Sequence, residues 1–258
     1  MITCALQGGL GNQMFQIATT MGHATKFGLN YGFDLNYCHT PAQGNTAIKY
    51  KENFYKKVNL IDNISSIKNM KVFREKRFSY QDIPNLDNLC LIGYFQSDKY
   101  FNHIRDKIKD TFVFDDITLN KVRGFISEIS NKTCAVQIRR GDYINASNYH
   151  LVCDIEYYKK SMNLLGEDIT FILISDDINW CKENFIGENI KYSPFTDEVT
   201  DMCLISECDD KIISNSSFGW WGSWLSDKVG NTVCPQKWFN FGGPQDFNDV
   251  YVDGWIKI

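Results

Sequence analysis

A chain of 258 residues is long enough for one large domain or two smaller ones, and 43% hydrophobic content with 14% aromatics describes a packed globular protein. A net charge of −4 gives no basic footprint and argues against a nucleic-acid partner. No apolar run approaches the roughly 18 residues of a membrane helix and no signal peptide precedes the first strand, so the sequence predicts no membrane span, leaves peripheral association open, and points to the cytoplasm.

The chain begins with "ITCAL", a short apolar run of strand type, and passes at once into "GGLGNQMFQIA" (8–18). Glycine at this density costs backbone entropy, so the main chain there needs φ > 0 or a close approach by something else. Met14, Ile17, Ala18, Met21, Ala24 and Phe27 then recur at helical spacing, which predicts a helix over 13–27. A strand, a tight glycine loop and a helix start present free N–H groups and a positive dipole end, suited to a phosphate or a sugar hydroxyl. Gly9, Gly11, Asn12 and Gln13 are therefore candidate binding residues, although a tight turn with no ligand fits the same pattern. Met14 stands where a dinucleotide fingerprint would place its third glycine, and no phosphate-loop lysine follows.

A polar stretch around 36–53 reads as loop, and a lysine-rich segment runs to about residue 78. "LCLIGYF" (89–95) reads as a buried strand, and "SDKYFNHIRDKIKD" (97–110) as a helix capped by Ser97. The acidic "FDDITLN" segment leads into a helix near 118–130 and is the best candidate junction; the domains predicted are 1–131 and 132–258. From residue 133 strands and helices alternate: "CAVQI", a helix opened by Asp154, the all-apolar "ITFILIS", the helices "DDINWCKENF" and "DEVTDMCLISEC", "KIIS", the helix "SSFGWWGSWLSD", and "NTVCP". That alternation predicts an α/β fold with an open parallel sheet, which binds ligands at the carboxyl ends of its strands.

Polar residues gather at those ends. Arg139 and Arg140 are neighbours on a strand, so they point to opposite faces and only one easily reaches a given ligand. A guanidinium fork matches phosphate oxygens, while pairing with Asp142 is the bland alternative. Asp142 can orient Arg139 or act as a base. Asp176 and Asp177 can accept from a guanine edge or cap the next helix. Asn215, Ser216 and Ser217 open a helix as a second anion cradle, ahead of Phe218, Trp220, Trp221 and Trp224, aromatics that suit core more than ligand platform.

Nine scattered cysteines without a C-x-x-C pair read as buried thiols, and four distant histidines leave little for a zinc site. There is no D-x-D, G-x-S-x-G or H-E-x-x-H. No metal is predicted, and an arginine fork with two anion cradles suits a diphosphate leaving group neutralised by protein alone.

"GGLGNQMFQIA", "GYFQSDKYF", "VQIRRGDYI", "SDDINWCKEN" and "ISNSSFGWWGSWLS", in this order and spacing, closely resemble the α-1,2-fucosyltransferases of glycosyltransferase family 11. The resemblance runs from residue 7 to about 240, and more distantly extends to α-1,6- and protein O-fucosyltransferases. It implies a GT-B-like fold, two Rossmann-like domains facing a central cleft, with the acceptor on the N-terminal side and GDP-fucose on the C-terminal side. It also implies metal-independent, inverting transfer of L-fucose from GDP-β-L-fucose to a glycan hydroxyl, with no cofactor besides the donor. Arg139 would grip the β-phosphate, Asn12 would reach the pyrophosphate or fucose, and Asp176 would read guanine. Ser216, Ser217 and the Phe218 backbone would bind phosphate.

Two positions depart from the pattern. Gln137 stands where the family usually has histidine, and "YINASNYH" lacks the glutamate base of the α-1,6 enzymes, leaving Asp142, then His150, as candidate bases. Many animal relatives carry an N-terminal anchor, and the lack of one here leads to the expectation of a bacterial or viral enzyme building surface glycans. The alternatives are another linkage or nucleotide-sugar donor, or a non-catalytic protein that binds a nucleotide sugar or glycan.

Overall fold

The structure is a computed structural model describing residues 1–37 and 46–258; Cys38 and part of the polar 36–53 stretch lie outside the described residues. The chain forms two compact units, Met1–Phe114 with Asp246–Val252, and Asp115–Gln245 with Asp253–Ile258. The division falls inside the acidic segment rather than after residue 131. The helix Asp116–Ser127 belongs to the second unit, because Arg123 pairs with Glu207 at 2.9 Å and Phe125 meets Phe195 edge to face at 5.8 Å.

In the first unit, β1 (Ile2–Cys4) leads through the glycine loop into α1 (Leu10–Phe27). β2 (Lys71–Arg74), β3 (Leu89–Ile92) and the short α2 (Arg105–Thr111) come next. The sheet is parallel, in the order β1-β3-β2. α1 starts three residues earlier than its apolar spacing indicates, because Gly9 takes the extended cap conformation; Gly28, left-handed at φ 65°, ends it. β2 is hidden in the lysine-rich segment because it is a largely exposed edge strand without an apolar face. Residues 97–110 do not form one helix. Ser97 does accept a hydrogen bond from the Lys99 N–H, but Phe101 (ψ 0°) turns inward onto Phe15 and splits the segment into two 3-10 turns before α2.

β3 stops at Ile92 because Gly93 and Phe95 both take positive φ, 155° and 53°. Glu75, just past β2, holds that bend by accepting hydrogen bonds from the N–H groups of Tyr94 (2.7 Å) and Phe95 (2.8 Å). Burial pushes its carboxyl up to about 7 from an ordinary 4.5. Between those values the folded chain binds a proton that the unfolded chain does not, so stability falls as pH rises through the window. Melting temperatures of wild type and Glu75→Gln are therefore expected to show different pH slopes between pH 4.5 and 7. Parallel profiles would contradict this.

The second unit runs α3 (Asp116–Ser127), β4 (Lys132–Ile138), α4 (Gly141–Asn145), α5 (Ile155–Leu165), β5 (Ile169–Ser175) and α6 (Ile178–Asn184). It continues through β6 (Ile190–Tyr192), α7 (Glu198–Glu207), β7 (Asp210–Ile213), α8 (Ser217–Leu225), β8 (Thr232–Cys234) and β9 (Ile256–Lys257). α3, α5, α6 and α7 are each capped by an aspartate, at 115, 154, 177 and 197, and α8 by Ser216. The six strands are all parallel in the order β6-β5-β4-β7-β8-β9. β4 and β5 are buried on both faces, as strands covered by helices on each side must be. Strand order reverses direction between β4 and β7, and the crevice outside their carboxyl ends is where a doubly wound sheet takes its ligand.

Trp220, Trp221 and Trp224 are buried in the core under α8, which excludes them as a ligand platform. All eight described cysteines are free and buried, and burial pushes a thiol such as Cys181 up to about 11. Among the described residues no helix is long and apolar enough to cross a membrane.

Candidate active site

The carboxyl end of β4 delivers Arg139 and Arg140, and their side chains diverge as alternation on a strand requires. Arg139 Nη2 donates to Asp142 Oδ1 at 2.5 Å, and Nη1 lies 2.9 Å from Asp176 Oδ2. Its guanidinium also sits 5.5 Å from the ring centre of Tyr143. Arg140 goes the other way, its guanidinium carbon 3.7 Å from the ring centre of Trp180 and its Nε pairing with Asp177 at 3.2 Å. Arg140 is thus spent on packing α6, while Arg139 is aimed and two-thirds buried. Two carboxylate contacts leave three of its five N–H donors for a ligand.

Asp176 serves this support rather than standing apart. Its Oδ1 accepts from the Arg140 N–H at 2.9 Å while Oδ2 faces Arg139. Gly141 makes that possible, since a Cβ there would lie 2.5 Å from Asp176 Oδ2. Asp177 caps α6 through the Trp180 N–H at 3.3 Å, the structural alternative read for it from sequence. Asp142 Oδ2 is buried and has no hydrogen-bond partner among the described residues.

The carboxyl end of β7 supplies the second side. Gln137, buried in β4, accepts from the Ser214 N–H (3.2 Å) and hydroxyl (2.7 Å) through Oε1, so it sets the loop 214–216. The position held by histidine in the family pattern acts here through hydrogen bonding to that loop. Gln137→Ala leaves the Ser214 hydroxyl unpaired in the interior and is expected to cost about 1–3 kcal/mol. Urea unfolding checks this; an unchanged midpoint would contradict it.

Asn215 is buried, donating to the Trp238 carbonyl (2.7 Å) and accepting from the Cys153 thiol (3.6 Å). It braces the loop and presents no amide to a ligand. Ser216 Oγ caps α8 by accepting from the Phe218 N–H at 3.3 Å, whereas Ser217 opens the helix partly exposed. Tyr143 ties the two strand ends together, its hydroxyl donating to the Asn215 carbonyl at 3.1 Å. His150 stacks on Tyr143 at 4.0 Å, nearly parallel, and its Nδ1 is buried without a partner among the described residues. Burial holds its pKa below the ordinary value, against the pull of Asp142 and with the push of Arg139, which keeps the ring neutral near pH 7.

In the first unit the glycine loop is built as strand, loop and helix, and its strained member is Gly8 (φ 75°), where a Cβ would lie 2.5 Å from the Asn12 amide nitrogen. Gly9 is the extended cap residue and Gly11 is buried in the helix. Gln13 is buried and internally engaged, donating to the Gly8 carbonyl (2.9 Å) and accepting from the Tyr55 hydroxyl (3.2 Å). Asn12 is partly exposed, its Oδ1 accepting from Gln96 at 2.7 Å. Sequence reading missed the supporting residues Tyr143, Glu75 and Gln96. Tyr143 was visible inside "RRGDY" and Gln96 inside "GYFQSDKYF", but Glu75 carries no local signal.

Among the described residues no group of three or more His, Cys, Asp or Glu side chains could hold a metal. A positively charged fork beside an N-terminal helix turn, at the switch point of a doubly wound sheet, is chemically suited to holding a diphosphate.

The profile of glycosyl transferase family 11 matches residues 1–258. An alpha-1,2-colitosyltransferase from Escherichia coli is 30% identical, over 100% of this chain and 98% of its own. A galactoside 2-alpha-L-fucosyltransferase from Caenorhabditis elegans is 28% identical over 90% of this chain and 70% of its own. Among solved structures, the fucosyltransferase NodZ from Bradyrhizobium superposes with a TM-score of 0.56 at 12% identity, covering 87% of this chain and 93% of that one. POFUT1 in complex with GDP-fucose gives 0.54 at 11% identity, covering 90% and 95%. The fold is thus the GT-B-like α/β fold that the motifs imply.

Proposed function

Because this chain belongs to glycosyl transferase family 11, we propose that it moves L-fucose from GDP-β-L-fucose to a hydroxyl of a galactose-terminated glycan, forming an α-1,2 linkage without a metal. The observation that carries this reading is Arg139, held by Asp142 and Asp176 at the β4/β7 switch point with donors to spare. In a single inverting displacement the acceptor oxygen bonds to the anomeric carbon of the sugar while the bond to the β-phosphate oxygen breaks. The electron pair leaves with GDP, where the Arg139 guanidinium stabilises the growing charge. The acceptor proton passes to the Asp142 carboxylate, whose side chain is 31% exposed.

The second unit binds the donor: Arg139 at the diphosphate, with Ser217 and the start of α8 as a second contact. Asp176 keeps Arg139 in place, Arg140 and Asp177 fix α6, and Asn215 fixes the loop. The first unit takes the acceptor, with Asn12 as the sugar- or phosphate-facing member of the glycine loop. A second reading, transfer of colitose, is favoured by the 30% identical relative from Escherichia coli.

Incubation with GDP-fucose and, separately, GDP-colitose over a panel of galactosides, read by mass spectrometry with linkage analysis, separates the two. Fucose at the 2-position supports the first reading, and colitose alone supports the second. Donor binding without transfer or hydrolysis in either arm would identify a non-catalytic nucleotide-sugar-binding protein. Stronger binding of UDP than of GDP would remove the guanosine donor.

A further inference from the structure

A single carboxylate in the first unit holds the segment that reaches the glycine loop. Glu75 follows β2 and grips the end of β3 twice. Its backbone N–H donates to the Ile92 carbonyl at 2.8 Å. Its side chain accepts from the Tyr94 N–H through Oε2 (2.7 Å) and from the Phe95 N–H through Oε1 (2.8 Å), so each oxygen holds one amide.

The bend held in this way is strained. Phe95 keeps φ at 53°, a left-handed conformation that a bulky side chain rarely adopts. Gly93 stands at φ 155°, where a Cβ would run into the Cβ of Glu75. The Phe95 ring is buried, stacked on Phe73 at 6.4 Å and edge-on to Tyr100 at 5.6 Å. The Ser97 N–H then closes on the Phe95 carbonyl at 2.8 Å. Gln96 is thus fixed between two pinned neighbours, buried, with Nε2 donating to Asn12 Oδ1 at 2.7 Å. The other end of the Asn12 amide lies beside Gly8, where a Cβ would stand 2.5 Å from Nδ2. Gln96 takes the accepting end of that amide, so the end that remains is a donor, the polarity that a sugar hydroxyl or phosphate oxygen requires.

Backbone strain of this kind persists only where its surroundings over-determine it, and it gathers at functional sites. We propose that Glu75 is a positioning residue of the candidate site, its carboxylate setting, through the 93–95 bend and Gln96, the orientation in which the Asn12 amide meets a substrate. Its effect on substrate rests on the reading of Asn12 as the sugar- or phosphate-facing member of the glycine loop. Proton uptake weakens the clamp, because a carboxylic acid turns one of its two acceptor oxygens into a hydroxyl. Burial pushes the Glu75 carboxyl up to about 7, so the clamp is complete above that pH and loosened below it. The titratable groups acting on Glu75 from the elements around it are Asp246, whose charge opposes ionisation, and the Tyr100 phenol, which burial keeps neutral. Arg74 and Lys76, its neighbours in the chain, are exposed.

The test follows amide resonances of the full chain labelled with 15N, Asn12 and Gln96 being assigned from Asn12→Ala and Gln96→Ala. Between about pH 5 and pH 9 the wild-type Asn12 side-chain amide is expected to move with a midpoint of about 7. In Glu75→Gln, where a donor replaces one of the clamping oxygens, that resonance is expected to stay near its low-pH position throughout. In Gln96→Ala the Tyr94 and Phe95 backbone amides should still titrate while the Asn12 amide does not, which keeps the test valid where Glu75→Gln does not fold. An Asn12 amide that is silent in the wild type, or that titrates equally in either variant, would overturn the proposal. This readout needs no turnover, so a chain that transfers no sugar defeats the transfer reading without deciding this one. Where sugar is transferred, the wild-type kcat/KM is expected to fall at least about threefold more than that of Glu75→Gln from about pH 8 to about pH 6. Equal falls would also overturn the proposal.

Discussion

Arg139→Ala is expected to lower the rate of sugar transfer by about 10³-fold or more while leaving the protein folded. The side chain carries the one guanidinium that the β4 end aims away from helix packing, since Arg140 is stacked on Trp180. Removing a single pre-aimed donor from a developing anion typically costs about 10²–10³ in rate, and a charged fork contributes more than a neutral donor. Folding should survive because Arg139 is a third exposed and its contacts with Asp142 and Asp176 lie at a strand end, outside the core. Arg139→Lys should recover little, because an ammonium cannot reproduce the planar fork between Asp142 and Asp176. Single-turnover rates with circular dichroism on the same samples provide the check. A folded Arg139→Ala protein that transfers at the wild-type rate would remove the diphosphate role.

Asp142→Asn is expected to lose about 10²–10⁴-fold in rate, the span that a positioned base contributes. The substitution keeps the shape of the side chain and an oxygen for Arg139 Nη2, but removes the capacity to take a proton. GDP affinity should therefore fall by much less than the rate. If Asp142 only steadies Arg139, the two quantities will fall together, and its role becomes positioning. His150→Phe is the companion measurement: an aromatic ring against Tyr143 is retained and both ring nitrogens, the buried Nδ1 among them, are lost. A rate loss there equal to that of Asp142→Asn would transfer the base role to His150.

Much of the second unit was legible in the sequence because its strands are buried on both faces and its helices begin with aspartates. "ITFILIS" and "CAVQI" are mostly apolar, buried runs bounded by polar turns, and Asp154 and Asp177 mark helix starts that the hydrogen bonds reproduce. β6 and β9 were not legible because they carry no buried apolar run, unlike the equally short β1 and β8, whose residues are all buried. The first unit was harder to read. β2 has no buried face, and the break at Phe101 is set by tertiary packing against Phe15, which local helical spacing cannot reveal.

The candidate site divides in the same way. That Arg139 and Arg140 must part company is a consequence of strand alternation, but which one packs a helix depends on Trp180, forty residues downstream. The resemblance assigned Asp176 to guanine, whereas the structure puts both of its oxygens on the arginine pair, through a close approach that only Gly141 permits. Asn215 and Gln13 look like ligand groups in a polar motif, yet each is buried with its amide engaged by the fold. Residue type showed where polar chemistry gathers; only the partners show which side chains remain available.

The most direct measurement is calorimetric binding of GDP to wild type and Arg139→Ala in the presence of EDTA. Tight binding by wild type without any divalent cation, weakened at least about 100-fold in the variant, is the expected result. Equal affinity in the two proteins, or wild-type binding that appears only when manganese is added, would contradict a diphosphate held by Arg139 without a metal.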